Sequence, residues 1–410
     1  MKAKYVIIGN SAGAIGGVEG IRALDKEGDI IIVSSETYFT YSRPLISYLL
    51  CGETDMQSIK YRPDNFYDEN KAVLLAGRTV EKINADDKCI FLDGNEKIEY
   101  GKLLYAAGSR PFIPLISGLE QVEKKYTFMS LDDALALEKE ISSQTRVLIM
   151  GAGLIGLKCA EGLYGRVGSI TVVDLADRVL PSILDEQSAA IMLEHLKNKG
   201  ITVRLNAGVK AFKPEGADVG NEIIPFDVLV VAVGVRANME LLKEAGAECE
   251  RGIITDEGSR TSLKDIYAAG DCTQCFDISC GMSRVLALLP NAYMQGETAG
   301  KNMAGGNMRF DKAVPMNSMG VLGLHMVTCG TYDGESIISN KDGTYKRLCV
   351  KDDVLSGYII LGDVSRAGIY TSLVRERIPL NSIDFKLTAE SPQLAAFSVQ
   401  YRHQNLAKLV

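Results

Sequence analysis

Arg146-Val147-Leu148-Ile149-Met150-Gly151-Ala152-Gly153-Leu154-Ile155-Gly156 is a short, mostly apolar run that ends on three glycines spaced G-x-G-x-x-G. The spacing predicts a buried strand over Arg146–Met150, a helix over Leu154–Tyr164 and a second strand over Ser169–Asp174. Gly151, Gly153, Leu154, Ile155 and Gly156 thus form a complete dinucleotide-binding fingerprint in the strand-to-helix setting it requires. Asp174 ends the second strand. A carboxylate there pairs with a free ribose 2′-hydroxyl and repels a 2′-phosphate, which favours NADH over NADPH. Arg178 is read as a solvated or helix-facing arginine and not as a phosphate ligand.

The same unit stands at the N-terminus in weaker form. Tyr5–Ile8 reads as a buried strand, Ala12–Leu24 as a helix and Asp29–Ser34 as a strand. Between the first two lies Gly9-Asn10-Ser11-Ala12-Gly13-Ala14, a G-x-G-x-x-G pattern with Ser11 and Ala14 in place of two glycines. Small residues there let the backbone approach a pyrophosphate resting on the helix N-terminus. Glu36 follows the second strand and can accept from ribose hydroxyls. Two strand–turn–helix units imply parallel sheets covered on both faces, an α/β chain with two nucleotide sites.

Composition bounds the rest. The chain has 410 residues, enough for two or three domains at ~150 each. Glycine supplies 40 of them, in keeping with several tight nucleotide turns. The net charge is −7 and no long basic block occurs, which argues against nucleic acid as a partner. No stretch has the ~18 uninterrupted apolar residues of a membrane helix. The apolar start at Tyr5–Ile8 breaks at once on Gly9-Asn10-Ser11, unlike a signal peptide. Nine scattered cysteines read as small buried residues of a cytoplasmic protein, with no disulfide framework. Cys272-x2-Cys275-x4-Cys280 is the one cluster. It is read as packing beside a glycine turn, and no metal site is expected.

Three further segments extend the pattern. Leu104-Tyr105-Ala106-Ala107-Gly108-Ser109-Arg110-Pro111 is an apolar strand ending in a small-residue turn, and Val231-Ala232-Val233-Gly234-Val235-Arg236 repeats the idea. Ile266-Tyr267-Ala268-Ala269-Gly270-Asp271 places a carboxylate on a glycine turn, where it can hold the ribityl hydroxyls of a flavin. The order of these five segments resembles the two-dinucleotide-binding-domain flavoproteins, the pyridine nucleotide–disulfide oxidoreductase family. The likeness runs over about residues 1 to 385. It implies two Rossmann-like domains, one for FAD and one for NAD(P)H, and a small C-terminal α+β domain. The expected boundaries are 1–112 and 241–308 for FAD, 113–240 for the pyridine nucleotide, 309–390 for an interface domain and 391–410 for a tail.

By that resemblance the N-terminal loop binds FAD through Gly9, Ser11, Ala12, Gly13 and Ala14. Glu36 takes the adenosine ribose, Asp271 after Gly270 the ribityl chain, and the turns at Ala107, Gly108, Arg110 and Gly234 complete the cofactor sites. Pro290-Asn291-Ala292 looks like the start of the family helix aimed at the flavin pyrimidine, placing Asn291 and Ala292 at the cofactor. A helix N-terminus there carries about half a positive charge, which favours an anionic reduced flavin. Many relatives carry a redox-active cysteine soon after the first ribose acid. Here the stretch reads Thr37 to Leu45 with Ser42 near that place, and Cys51 is read as core. None of His195, His325 and His403 precedes a proline.

Tyr41-Ser42-Arg43-Pro44-Leu45-Ile46-Ser47 looks like the Tyr-x-Arg-Pro-x-x-Ser segment of the rubredoxin reductases and of the flavoprotein part of assimilatory nitrite reductase. In that branch the arginine lies beside the FAD pyrophosphate, so Arg43 and Pro44 are assigned to the cofactor. Tyr345 to Leu348 and Gly357 to Asp363 look like the branch's compact βββα domain. The branch implies that NADH reduces FAD and that the electrons pass to rubredoxin or a ferredoxin-like iron–sulfur protein. An NADH oxidase is the alternative, as is a flavin- and NADH-binding sensor or assembly protein with poor turnover. The oligomeric state is left open. One departure stands out. Relatives place a lysine after Arg-Pro-x-x-Ser and a glutamate beyond the NAD glycines, an ion pair near flavin N5. Here those positions hold Tyr48 and Lys158, so the acid is expected to be missing. Lys158 is expected to supply the charge, with Tyr48 as its hydrogen-bonding neighbour.

Overall fold

The computed structural model describes residues 1–397 and 402, so most of the 391–410 tail, His403 included, lies outside the described residues. The chain divides into two compact units. One comprises residues 1–182, 189–276 and 283–311, and the other 183–188, 277–282 and 312–410.

The first unit is built on two main sheets, the larger parallel except for its antiparallel strands Cys89–Leu92 and Val80–Asn84. In the larger, the strands run Ala72–Ala76, Ile30–Ser34, Lys2–Ile8, Lys97–Tyr105, Cys89–Leu92 and Val80–Asn84, with Ile266–Ala268 also paired to Lys97–Tyr105. Val6, Ile7 and Ile8 lie beside Ile31, Ile32 and Val33 on one side and Leu103, Leu104 and Tyr105 on the other. All nine are within a tenth of full burial, as expected of a strand covered on both faces. The smaller sheet orders Thr202–Arg204, Ser169–Val173, Arg146–Met150, Val228–Val231 and Lys125–Tyr126, all parallel. Strands are cut and helices begun by the two glycine loops: Ala12–Leu24 follows the first and Leu154–Leu163 the second.

One helix pair dominates the unit. Ala12–Leu24 packs on Leu289–Met303, whose first turn holds Pro290. Glycines line the seam. A Cβ at Gly16 or Gly20 would run into the carbonyls of Tyr293 or Glu297, and one at Gly296 or Gly300 into those of Gly13 or Gly17. The two backbones therefore touch directly, and each helix turn near the seam needs a residue without a side chain.

The second unit is an antiparallel five-stranded sheet ordered Met316–Val321, Leu324–Gly330, Val354–Leu361, Thr344–Lys351 and Glu335–Lys341, with the Ala367–Glu376 helix on one face. This exceeds the βββα pattern expected from sequence. The turn joining the first two strands hinges on Leu322 and Gly323, both at positive φ. Leucine at φ +50° is not a turn signal a sequence displays. The hairpins turn at Asp342-Gly343 and Asp352-Asp353, residue types suited to such turns, all four at positive φ. Among the described residues no helix is long and apolar enough to cross a membrane.

The seam makes a prediction. Gly16→Ala should lower stability by about 1–3 kcal/mol, the usual range for overpacking, read as a drop in the thermal midpoint. Gly368→Ala, in a helix where a Cβ meets nothing within 4 Å, should leave the midpoint unchanged or raise it.

Candidate functional site

A cavity of about 570 Å³ opens in the first unit. Ile8, Ser34 and Tyr105, which line it, end the three central strands of the larger sheet. The chain runs outward in opposite senses from Lys2–Ile8 at this point, the place where open α/β sheets leave a crevice.

The floor is built for an anion. Gly9 sits at φ +105°, and a Cβ there would run into the Ala106 carbonyl. Ser11, the N-cap of Ala12–Leu24, makes no side-chain cap bond, and the first helical turn has no acid. Its leading N–H groups have no partner within the helix. Ser11, Ala12 and Gly13 present them to the cavity, and Ala14 packs fully buried beneath. This cradle fits a dinucleotide pyrophosphate.

At the far end Gly270 turns at φ +85° and aims Asp271 at the cavity. Gln295, only 4% exposed, accepts from the Gly270 N–H at 2.8 Å and from the Thr273 hydroxyl at 3.2 Å, which pins that turn. The Ser109 hydroxyl donates to Asp271 at 3.2 Å. Burial raises the Asp271 carboxyl above the ordinary carboxylate range, opposed by Ser109 and by the charge of Arg43. A half-buried carboxylate facing open space keeps acceptor capacity for sugar-like hydroxyls, so the residues present fit FAD. Ala292 and Leu289, at the start of Leu289–Met303, also line the cavity, while Asn291 is buried beside them.

Glu36 and Arg43 both line the cavity, joined to each other. Arg43 Nη2 donates to Glu36 Oε1 at 2.6 Å and Nη1 to the Met129 carbonyl at 3.0 Å. The arginine assigned to the pyrophosphate is thus tied to the ribose acid, which shares out its charge. Pro44 opens the short turn Arg43–Leu45 and does not line the cavity. Tyr38 donates to Asp132 at 2.6 Å, and the Tyr41 hydroxyl accepts from the Leu131 N–H at 3.0 Å. The Glu36–Arg43 loop is thereby fastened to the helix Leu131–Glu140, a link that no motif announces. Ala107, Gly108 and Arg110 line the cavity, but Arg110 gives both Nη atoms to Glu240, at 3.0 and 2.6 Å. Gly234 lies away from it, its carbonyl accepting from the Phe112 N–H at 2.9 Å.

The second glycine loop repeats the logic. A Cβ on Gly151 would meet the Ala232 carbonyl and one on Gly156 the Gly151 carbonyl, whereas Gly153, the N-cap, faces nothing within 4 Å. Leu154 and Ile155 open the Leu154–Leu163 helix, which has no acid in its first turn. Asp174 accepts from the Ala152 N–H at 2.6 Å and from the Ala176 N–H at 2.8 Å. It braces the loop, and the remaining lone pairs of its carboxylate stay open to a ribose. Arg178 donates to Asp177 at 3.1 Å.

Lys158 and Tyr48 meet, though neither lines the cavity. The Lys158 ammonium sits 4.2 Å from the Tyr48 ring centroid, so the phenol meets it with its face, where a hydrogen-bonding neighbour was expected. The expected absence of an acid is also corrected: Glu161, one helical turn on, forms an ion pair with Lys158, the two side chains 17% and 11% exposed. The acid has shifted along the helix, out of the motif position but not off the face.

The cysteines take no part in the cavity lining. Burial pushes the Cys272 thiol up to about 12, and its sulfur donates to the Ala269 carbonyl at 3.3 Å. Among the described residues no group of three or more His, Cys, Asp or Glu is arranged to hold a metal ion.

Comparison with known proteins agrees with this geometry. Residues 3–296 match the family described as pyridine nucleotide-disulphide oxidoreductase, and residues 315–378 the rubredoxin NAD+ reductase C-terminal domain. The chain is 28% identical over 400 residues to the epsilon subunit of NADH-dependent phenylglyoxylate dehydrogenase of Aromatoleum evansii, covering 94% of each. It is 32% identical over 320 residues to an NADH oxidase of Methanocaldococcus jannaschii, covering 75% of this chain and 71% of that protein. The crystal structure of NADH:rubredoxin oxidoreductase from Clostridium acetobutylicum shares the fold at TM-score 0.76 and 23% identity, covering 92% of this chain and 96% of that one. With a match spanning both glycine loops and the Asp271 turn, the chain belongs to the pyridine nucleotide-disulphide oxidoreductase family and is an FAD-dependent oxidoreductase of NAD(H).

Proposed function

We propose that this enzyme takes electrons from NADH and delivers them through FAD to a small rubredoxin-type or ferredoxin-like iron–sulfur protein. The observation that carries this reading is that none of the described residues lining the cavity is a cysteine, although the family frame is complete. Electrons then leave toward a partner and not through a thiol relay beside the cofactor. The C-terminal match to a rubredoxin reductase domain points the same way.

The chemistry is the cofactor's: acceptance of a hydride as an electron pair and release of electrons one at a time. The protein binds and orients. Residues 1–112 with 241–308 hold FAD and 113–240 hold NADH, with 309–390 as the interface domain. The Ser11–Gly13 N–H groups take the pyrophosphate, Glu36 the adenosine ribose and Asp271 the ribityl hydroxyls. The N-terminus of Leu289–Met303 offers partial positive charge at the cavity wall. Asp174 holds the ribose of NADH. Lys158, with Glu161 and Tyr48, tunes the site by charge. Nine free cysteines support a cytoplasmic reading. An NADH oxidase is the second reading, favoured by the Methanocaldococcus jannaschii relative.

Asp271→Ala should be isolated with little flavin, because the ribityl hydroxyls lose a half-buried carboxylate. Wild-type FAD affinity in that variant, measured by fluorescence titration, would overturn the assignment. Lys158→Met should keep FAD but remove the cation that stands between Glu161 and the Tyr48 ring. Its flavin potential should fall and its reduction by NADH in stopped flow should slow, whereas a purely structural lysine would leave both unchanged. Steady-state assays test the function itself. NADH should exceed NADPH in kcat/KM by about tenfold or more, a difference of roughly 1.4 kcal/mol, and rubredoxin or ferredoxin should turn over faster than oxygen. Faster turnover with oxygen alone would select the oxidase reading.

A further inference from the structure

The Ala72–Ala76 strand lies beside Ile30–Ser34, the strand that leads to Glu36. Past its end the chain keeps to that neighbour. The Gly77 N–H donates to the Glu36 carbonyl at 3.1 Å, and the Arg78 N–H to the Ser34 carbonyl at 2.9 Å. Arg78 thereby stands one strand away from the acid assigned to the adenosine ribose, and it lines the same cavity. A base carried by a ribose at Glu36 reaches this neighbouring strand end.

The Arg78 guanidinium is held by its edge. Nε donates to Asp93 Oδ1 at 2.9 Å, Nη1 to Glu96 Oε2 at 3.0 Å and Nη2 to the Asp93 carbonyl at 2.9 Å. The receptor is the turn from Asp93 to Glu96, in which Gly94 and Asn95 both sit at positive φ. That turn brings one backbone carbonyl and two carboxylates onto a single group. It is itself pinned, because Asp93 Oδ1 accepts from the Thr79 N–H at 3.1 Å and the Asp93 N–H donates to the Thr79 carbonyl at 2.9 Å. The arginine side chain is 31% exposed. With all three nitrogens committed in the plane of the group, what remains is a flat face held in a fixed place. Two carboxylates on one cation leave surplus negative charge, which disfavours a phosphate as its ligand and favours a neutral aromatic ring.

We propose that Arg78 is the shelf on which the adenine of FAD stacks, and that this contact makes the site selective for FAD over FMN. The proposal rests on the reading that Glu36 holds the adenosine ribose. FMN shares the ribityl chain and one phosphate with FAD but has no adenosine. The Asp271 end of the cavity therefore serves both flavins alike, and only contacts at the Glu36 end tell them apart.

The test starts from the flavin-loaded protein, equilibrated with FAD and FMN at a series of ratios. Bound flavin is then extracted and resolved by chromatography. Wild type should retain mostly FAD under excess FMN. Arg78→Ala should shift the bound ratio toward FMN by about tenfold, within the range for one stacked base. Arg78→Lys keeps a cation between Asp93 and Glu96 but has no flat face, so it should shift the ratio as alanine does. Total flavin per chain and the thermal midpoint report folding. A merely structural arginine would lower both without changing the ratio, and lysine would recover them. An unchanged ratio in Arg78→Ala, or a ratio restored to the wild-type value by lysine, overturns the proposal. A wild type that binds FMN as tightly as FAD overturns the placement of the adenosine end, and the shelf with it.

Discussion

Two helices touch along their backbones, and most of the first unit depends on it. Ala12–Leu24 and Leu289–Met303 come from opposite ends of that unit's sequence, yet Gly296 and Gly300 meet the backbone at Gly13 and Gly17, and Gly16 and Gly20 meet that of Tyr293 and Glu297, with no side chains between them. The same contact sets the cavity. One helix brings the pyrophosphate cradle at Ser11–Gly13, and the other brings Ala292 and the amide of Gln295 that pins the Gly270 turn. Sliding one helix against the other would move anion site and carboxylate apart. Cofactor geometry is therefore fixed by packing before any cofactor contact is made.

Charge is distributed by pairing. Arg43 is shared with Glu36, Arg110 with Glu240 and Lys158 with Glu161. Each cation near the nucleotide sites comes with an acid, so the field is local and directional instead of broadly positive. The unshared positive character comes from helix N-termini, whose position cannot drift as a side chain can. A chain with a net charge of −7 can thus hold two anionic dinucleotides without a basic cleft.

Much of this was legible in the sequence because it is local. The helix at Ala12–Leu24 and the strand at Arg146–Met150 fall on the residues that the apolar run and the glycine turn mark. The hairpins at Asp342-Gly343 and Asp352-Asp353 are equally local, since turn chemistry is written into adjacent residues. What the sequence hid is contact across distance. Nothing near Arg110 announces Glu240, and nothing near Tyr38 announces Asp132. Glu161 was overlooked because a motif is read by position, whereas a helix presents residues three and four apart on one face. The extra strands of the C-terminal sheet were hidden by a turn made with a leucine at positive φ.

Asp174 joins two duties in one carboxylate. Its oxygens receive the Ala152 and Ala176 amides, and in the proposed function the same group also holds a coenzyme ribose. A lineage drifting toward a phosphorylated coenzyme would have to remove the negative charge, and in doing so would untie the loop that seats either coenzyme. The adaptive path is therefore narrow. Asparagine keeps one acceptor for the loop while dropping the charge, so it is a passable intermediate, whereas glycine or alanine at 174 must wait for a compensating change elsewhere. Coenzyme preference in this chain is buffered by the architecture of its own binding loop.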